Sequence, residues 1–170
     1  MSNKPLVHVA ALLLIVVAAG AYAAPPVTLY YPEERGADFS VVVPDNWELE
    51  QAEEEGGFFT VNGPTGAQLS FRTIETDDDQ IDAAIKQSVE WVFENYEDVK
   101  LGDPEDIVQN GMDGFNMTGT AKSEGKPVVI VMAWLSLKRS HLAEVMVIVD
   151  KKDSAGLNAA ERIIKTLRRR

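Results

Sequence analysis

Hydrophobic residues are concentrated at the start of the chain. Residues 6–19 run LVHVAALLLIVVAA after a short opening whose one charge is Lys4. Gly20-Ala21-Tyr22-Ala23 ends the run with small residues in an A-x-A pattern, and Ala24-Pro25-Pro26 follows. A positive opening, an apolar centre and a small-residue exit make residues 1–23 a secretory signal peptide, cut after Ala23. The competing reading is an uncleaved anchor, but a membrane-spanning helix needs roughly 20 apolar residues. The later apolar stretches, 128–137 and 142–149, are shorter still and read as buried strands.

Beyond the signal, the polar and apolar positions change period several times. Residues 24–37 are Pro-rich and charged without periodicity, so they read as an extended leader, in part ordered by Leu29, Tyr30 and Tyr31. The β-branched run Phe39–Val43 stops at Pro44-Asp45-Asn46, a turn sequence. Trp47-Glu48-Leu49-Glu50 alternates, as a half-buried strand does. Residues 58–62 and 67–75 flank Gly63-Pro64-Thr65-Gly66 and read as a hairpin. Ile81, Ala84, Ile85, Val89, Val92, Phe93 and Tyr96 then follow the i, i+3, i+4 rule and predict a helix of four turns. Residues 99–114 read as irregular, with Gly102, Asp103-Pro104, Asn110-Gly111 and Asp113-Gly114 as turn signals. Three strands follow at 115–122, 127–137 and 141–149, joined by connections of hairpin length. Asp153-Ser154 offers an N-cap for a last helix, with Leu157, Ala160, Ile163, Ile164 and Leu167 as its apolar stripe to the C-terminus.

The sum is α+β: a twisted antiparallel sheet with a long middle helix and a C-terminal helix. Residues 128–137 are apolar on both faces, so the sheet should be covered on both, one helix per face, as an α/β/α sandwich. The domain plan is a signal peptide over 1–23, a leader over 24–37 and one α+β domain over 38–170.

Composition narrows the chemistry. The 170 residues contain no cysteine. Thiol nucleophiles, thiolate metal sites, redox pairs and disulfides are therefore absent, and no lipid can be attached to a thiol at the cleavage point. Of the two histidines, His8 lies in the signal, which leaves His141 and no basis for a histidine-rich zinc site. The chain has 27 acidic and 16 basic residues, a formal charge of −11. Such a balance favours solubility and is repelled by nucleic acid and anionic lipid.

The order of elements and several residues resemble the PsbP-like superfamily, which includes secreted bacterial DcrB-like proteins. The resemblance is carried by Phe39-Ser40-Val41-Val42-Val43-Pro44-Asp45-Asn46-Trp47, by the Leu69-to-Ile74 strand before a long acidic helix, by Gly111 to Gly119 leading into the meander, and by Ile163-Ile164-Lys165-Thr166-Leu167 in the closing helix. It covers roughly 38–168 and implies an α/β/α sandwich. It also implies an accessory role in binding or assembly, with no family-wide catalytic residue to carry over.

Candidate sites are few. Asp77, Asp78 and Asp79 offer oxygen ligands for Ca²⁺, but they lack the spacing of a calcium loop and stand where carboxylates cap a helix N-terminus. Glu53-Glu54-Glu55 reads as a solvated turn. His141 with Ser123, Ser136 or Ser140 could begin a nucleophilic dyad, although no G-x-S-x-G elbow is present. Arg168-Arg169-Arg170 places cations where they would complement a helix C-terminus. Trp47, Trp91 and Trp134 read as core residues, and any of them that is exposed in a concave patch becomes a binding candidate.

These readings converge on an exported, non-catalytic accessory or binding protein of the cell envelope, periplasmic or extracellular. It would need no cofactor and would bind a protein or envelope component. It would have no nucleic-acid partner, and no stable membrane anchor after cleavage. A carboxylate-based hydrolase and a Ca²⁺ or small-ligand binder are the alternatives.

Overall fold

The computed structural model describes residues 25–51, 57–75, 81–138 and 141–170. Its elements in order are β1 (Val27–Tyr31), β2 (Phe39–Val43), β3 (Glu48–Glu50), β4 (Phe59–Asn62), β5 (Gln68–Glu75), α1 (Ile81–Asn95), β6 (Glu97–Leu101), β7 (Glu105–Gln109), β8 (Met112–Ser123), β9 (Lys126–Ser136), β10 (His141–Asp150), α2 (Ser154–Ile164) and β11 (Arg168–Arg169). Eight strands form the main antiparallel sheet in the order β3-β4-β5-β10-β9-β8-β6, with β7 also paired to β8. β1, β2 and β11 form a second, three-stranded sheet.

The main sheet is buried on both faces, as its double-sided apolar strands require. On β9, Ala133 and Leu135 face one way while Ile130, Met132 and Trp134 face the other. The second set lies under α1, which contributes Val92 and the half-buried Ala84, Ile85 and Val89. The first set lies under the small sheet and α2, through Phe39, Val41, Ala160 and Ile163. The result is three layers: α1, the main sheet, and a layer shared by α2 and the small sheet.

Four rings bind the two sheets together. Tyr31 stacks on Phe39 at 5.4 Å between centroids and on Phe59 at 5.6 Å, and Phe59 stacks on Phe71 at 5.1 Å. Such pairs add to the area that they bury.

The sheet edges are blunted. β3, at one edge, is three residues long and carries Glu48 and Glu50. β6 and β7 lie end to end along the other edge, β7 beside the first half of β8 and β6 beside the second. Together they bear Glu97, Asp98, Glu105 and Asp106. Charges on short or broken edge strands discourage pairing with another chain.

The structure departs from the sequence pattern at several points. The leader contains a strand, β1, paired along its whole length with β2. Residues 99–114 are mostly strand: Asn110-Gly111, both at positive φ, form the tight turn between β7 and β8, and Gly102 to Pro104 is the break between β6 and β7. The turn signals are real, but they interrupt strands instead of replacing them. Leu49, expected to be half-buried, is exposed because β3 has no layer against it. In α1, Phe93 is exposed and Ser88 is buried, since Ser88 meets Arg72 rising from the sheet. The last apolar stripe does not continue as helix to the end. Lys165 is the C-cap, and Arg168–Arg169 pairs with β2, whose second edge would otherwise lack a partner. Asp153 caps α2 as expected, its Oδ1 accepting from Gly156 N at 2.8 Å.

Candidate functional site

α2 does not cover its whole face of the main sheet. It packs against β2 and β10, and the β9–β8–β7 side of the face extends beyond it. The uncovered strip is a trough of about 470 Å³. Register puts Thr118 opposite Val131 and Asn116 opposite Ala133, so β8 and β9 form a floor that is half hydroxyl and amide, half aliphatic. Leu157 and Ile164 of α2 form one wall, and Ile107 of β7 lines the far side. Val129 and Val131 are half-buried here, whereas Leu135 further along β9 is fully covered.

The trough is closed at one end by a latch. Gln109 Nε2 donates to the Ile164 carbonyl at 2.6 Å, and Asn110 Nδ2 donates to the Leu167 carbonyl at 2.7 Å and to that of Lys165 at 3.1 Å. The last carbonyls of a helix have no partner within the helix. Here the β7–β8 turn supplies them, which fixes the distance between α2 and the sheet edge. Lys165 and Glu161 pair along α2, one turn apart, on the same side of the rim at 3.3 Å.

The three tryptophans take different places. Trp134 is 1% exposed and stacks on Phe115 at 5.0 Å. Trp47 is 8% exposed and packs on Gly63, where a Cβ would meet its ring. Both are packing residues. Trp91 is 45% exposed and stands edge-on to Tyr96, with ring centroids 6.1 Å apart. Asp77, Asp78 and Asp79 lie outside the described residues, as do Glu53-Glu54-Glu55 and Ser140. His141 Nδ1 lies 3.3 Å from Asp38 Oδ1, joining the start of β10 to the approach to β2. Arg168 Nη1 donates to the carbonyl of Lys165, the C-cap of α2, at 2.9 Å, as a cation at a helix C-terminus should, while Arg170 lies over the Tyr30 ring at 5.1 Å and donates from Nε to Ser40 Oγ at 3.0 Å on the small sheet.

Among the described residues no three His, Asp or Glu side chains converge to hold a metal ion. No helix among them is long and apolar enough to cross a membrane. The trough residues had one signal in the sequence. Asn116, Thr118 and Thr120 alternate with Phe115 and Met117, so β8 turns a polar face toward the same side as the aliphatic residues of β9. Which side α2 would leave open could not be read that way.

No family model matches the chain, and no curated protein matches it in sequence. Solved structures do match it in shape. The cyanobacterial PsbP of Synechocystis aligns with a TM-score of 0.63 at 8% identity, over 91% of this chain and 99% of that one. LpqN of Mycobacterium tuberculosis, described as involved in cell envelope biogenesis, aligns with a TM-score of 0.55 at 13% identity, over 86% of each chain. A protein of Bacteroides thetaiotaomicron aligns at 0.58 and 19% identity over 84% of this chain, which spans 48% of the length of that one. At such identities the likeness is one of architecture: the chain has the PsbP-like fold.

Proposed function

We propose that this is an exported, non-catalytic accessory protein that binds a protein of the cell envelope in the trough between α2 and the β8–β9 floor. The trough itself carries the reading. Its walls carry Ile107, Leu157 and Ile164 with Glu161 and Lys165 at the rim, and its floor offers the amide of Asn116 and the hydroxyl of Thr118 among valines. Such a surface suits an apolar segment with a few main-chain or hydroxyl bonds to make. The signal-like N-terminus and the fold shared with an envelope-biogenesis protein support the location. The short, charged edges of the main sheet weigh against strand addition there and for this face.

The cysteine-free chain makes the test direct. Thr118→Cys carries a photo-crosslinker into the trough, and Gln87→Cys carries it onto exposed α1. In envelope extract, Thr118→Cys should give a discrete adduct that Gln87→Cys does not, and Val131→Trp, which fills the floor, should remove it. Identical adducts from both positions, or none from Thr118→Cys, would overturn the reading.

A further inference from the structure

On the sheet face opposite the trough, beside the C-terminal end of α1, lies a second cavity of about 270 Å³. Its lining is mostly polar, and the strand register explains why. Asn62 of β4 is opposite Gln68 of β5, Gln68 is opposite Ile148 of β10, and two residues on Asp150 is opposite Val128 of β9. Ser123 and Lys126 are the paired residues at the mouth of the β8–β9 turn. Tyr96 lines the cavity from the α1 side, with Trp91 edge-on behind it.

Much of the hydrogen-bonding capacity of this row is unused. Gln68 Nε2 donates to Asn62 Oδ1 at 3.3 Å, which leaves the Gln68 amide oxygen without a partner among the described residues. Asp150 Oδ1 accepts from Lys152 N at 2.8 Å, which leaves Oδ2. Ser123 Oγ and Lys126 Nζ make no bond to a described residue. The cavity therefore offers acceptors, donors and an aromatic ring together.

The balance of charge excludes several ligand classes. An anion would meet the carboxylates of Asp150 and Glu124, and a simple cation would meet Lys126. A wholly apolar ligand would strip water from these groups and return no hydrogen bonds. A hydroxyl both donates and accepts, so a molecule with neighbouring hydroxyls can use Gln68, Asp150, Ser123 and Lys126 at once. The C–H face of a sugar ring can lie on the Tyr96 ring. We propose that this cavity is a binding site for an uncharged saccharide of one or two rings. Burial raises the Tyr96 phenol above its ordinary value, so its hydroxyl stays neutral and adds a further donor and acceptor. The site shares no residue with the trough and does not depend on it.

The test is a titration of the isotopically labelled protein with methyl glucoside, methyl N-acetylglucosaminide and the disaccharide chitobiose. At least one should shift the Asn62 and Gln68 side-chain amide signals with a millimolar Kd. Gln68→Ala removes one neutral hydrogen bond and should weaken binding by roughly tenfold. Tyr96→Phe keeps the ring packed on Trp91 and should weaken it less. The trough variant Val131→Trp should bind the sugar unchanged. No shift at tens of millimolar with all three sugars, shifts centred away from Gln68 and Tyr96, or equal affinity in Gln68→Ala would overturn the proposal.

Discussion

Arg72 Nε donates to Glu144 Oε2 at 2.7 Å, and the Glu144 side chain is wholly buried between α1 and the main sheet. The two residues are opposite each other on β5 and β10. Arg72 also donates from Nη2 to Ser88 Oγ at 2.9 Å and lies over the Phe58 ring at 4.5 Å, so one guanidinium ties α1 to the sheet. Trp134, opposite Glu144 on β9, leaves its Nε1 without a partner, and Glu144 Oε1 is likewise unpaired among the described residues.

Removing one partner of a buried pair strands the other. Arg72→Ala should destabilise the protein by about 3–5 kcal/mol. The double variant Arg72→Met with Glu144→Leu should recover most of that loss, because an apolar pair of similar volume leaves no charge behind. Urea unfolding of wild type, single and double variants measures both effects. A double variant no better than Arg72→Ala would show that the pair holds α1 by geometry and not by charge balance.

The cap of α2 should respond to acid. The Thr65 hydroxyl beside Asp153, followed by the Gly156 and Ala155 N–H groups, holds its pKa below the usual carboxylate value. A group whose pKa is depressed by folding contributes above its unfolded pKa, near 3.9, and the contribution is lost as pH falls through the folded value. Thermal melts should therefore show wild type a few degrees more stable than Asp153→Asn at neutral pH, with the gap starting to close only below about pH 4 and closing as pH falls on through the folded value. A gap between the two that does not change with pH would remove the carboxylate charge from the explanation.

The latch should control the trough. Asn110→Gly keeps the turn, because residue 110 sits at positive φ, but removes both bonds to the end of α2, at a cost of about 1–2 kcal/mol. Hydrogen exchange should rise at residues 163–167 and leave β9 protected. Uniform acceleration across the sheet would mean that the turn, and not the latch, had been damaged.

Close backbone approach should make Gly119 intolerant. A Cβ there would strike the Lys100 carbonyl and the Leu101 side chain, where β6 pairs with β8. Gly119→Ala should cost about 1–3 kcal/mol and expose β6 first, visible as early exchange at Val99 and Leu101. Wild-type stability would show that β6 can slide along the edge.

The N-terminal reading has its own check. Mature protein from the producing cell should begin at Ala24 and be released with the soluble envelope fraction. Intact Met1 in the membrane fraction would support the anchor instead.

The sequence carried some layers of this structure more clearly than others. The meander β8–β10 was legible because each strand is long and its turns are short, with Glu124-Gly125 at positive φ between β8 and β9. The N-cap Asp153 was legible because a single side chain defines it. β6 and β7 were not, since edge strands bury one side at most and their few apolar residues, Val99, Leu101, Ile107 and Val108, are spread among turn signals. Ser88 was hidden for a related reason: a small polar residue in a helix does not announce the arginine that meets it. Of the candidate residues, Trp91 kept an exposed ring, while burial accounts for Trp47 and Trp134. The trough depends on how far α2 reaches across the sheet, a distance that no local pattern encodes.

β2 lies between β1 and β11, so the same short strand pairs with residues from opposite ends of the domain. During synthesis β2 can find β1 almost at once, but its other edge stays bare until residues 168–169 exist. The small sheet is thus closed only by β11, and one five-residue strand ties the two ends of the domain together.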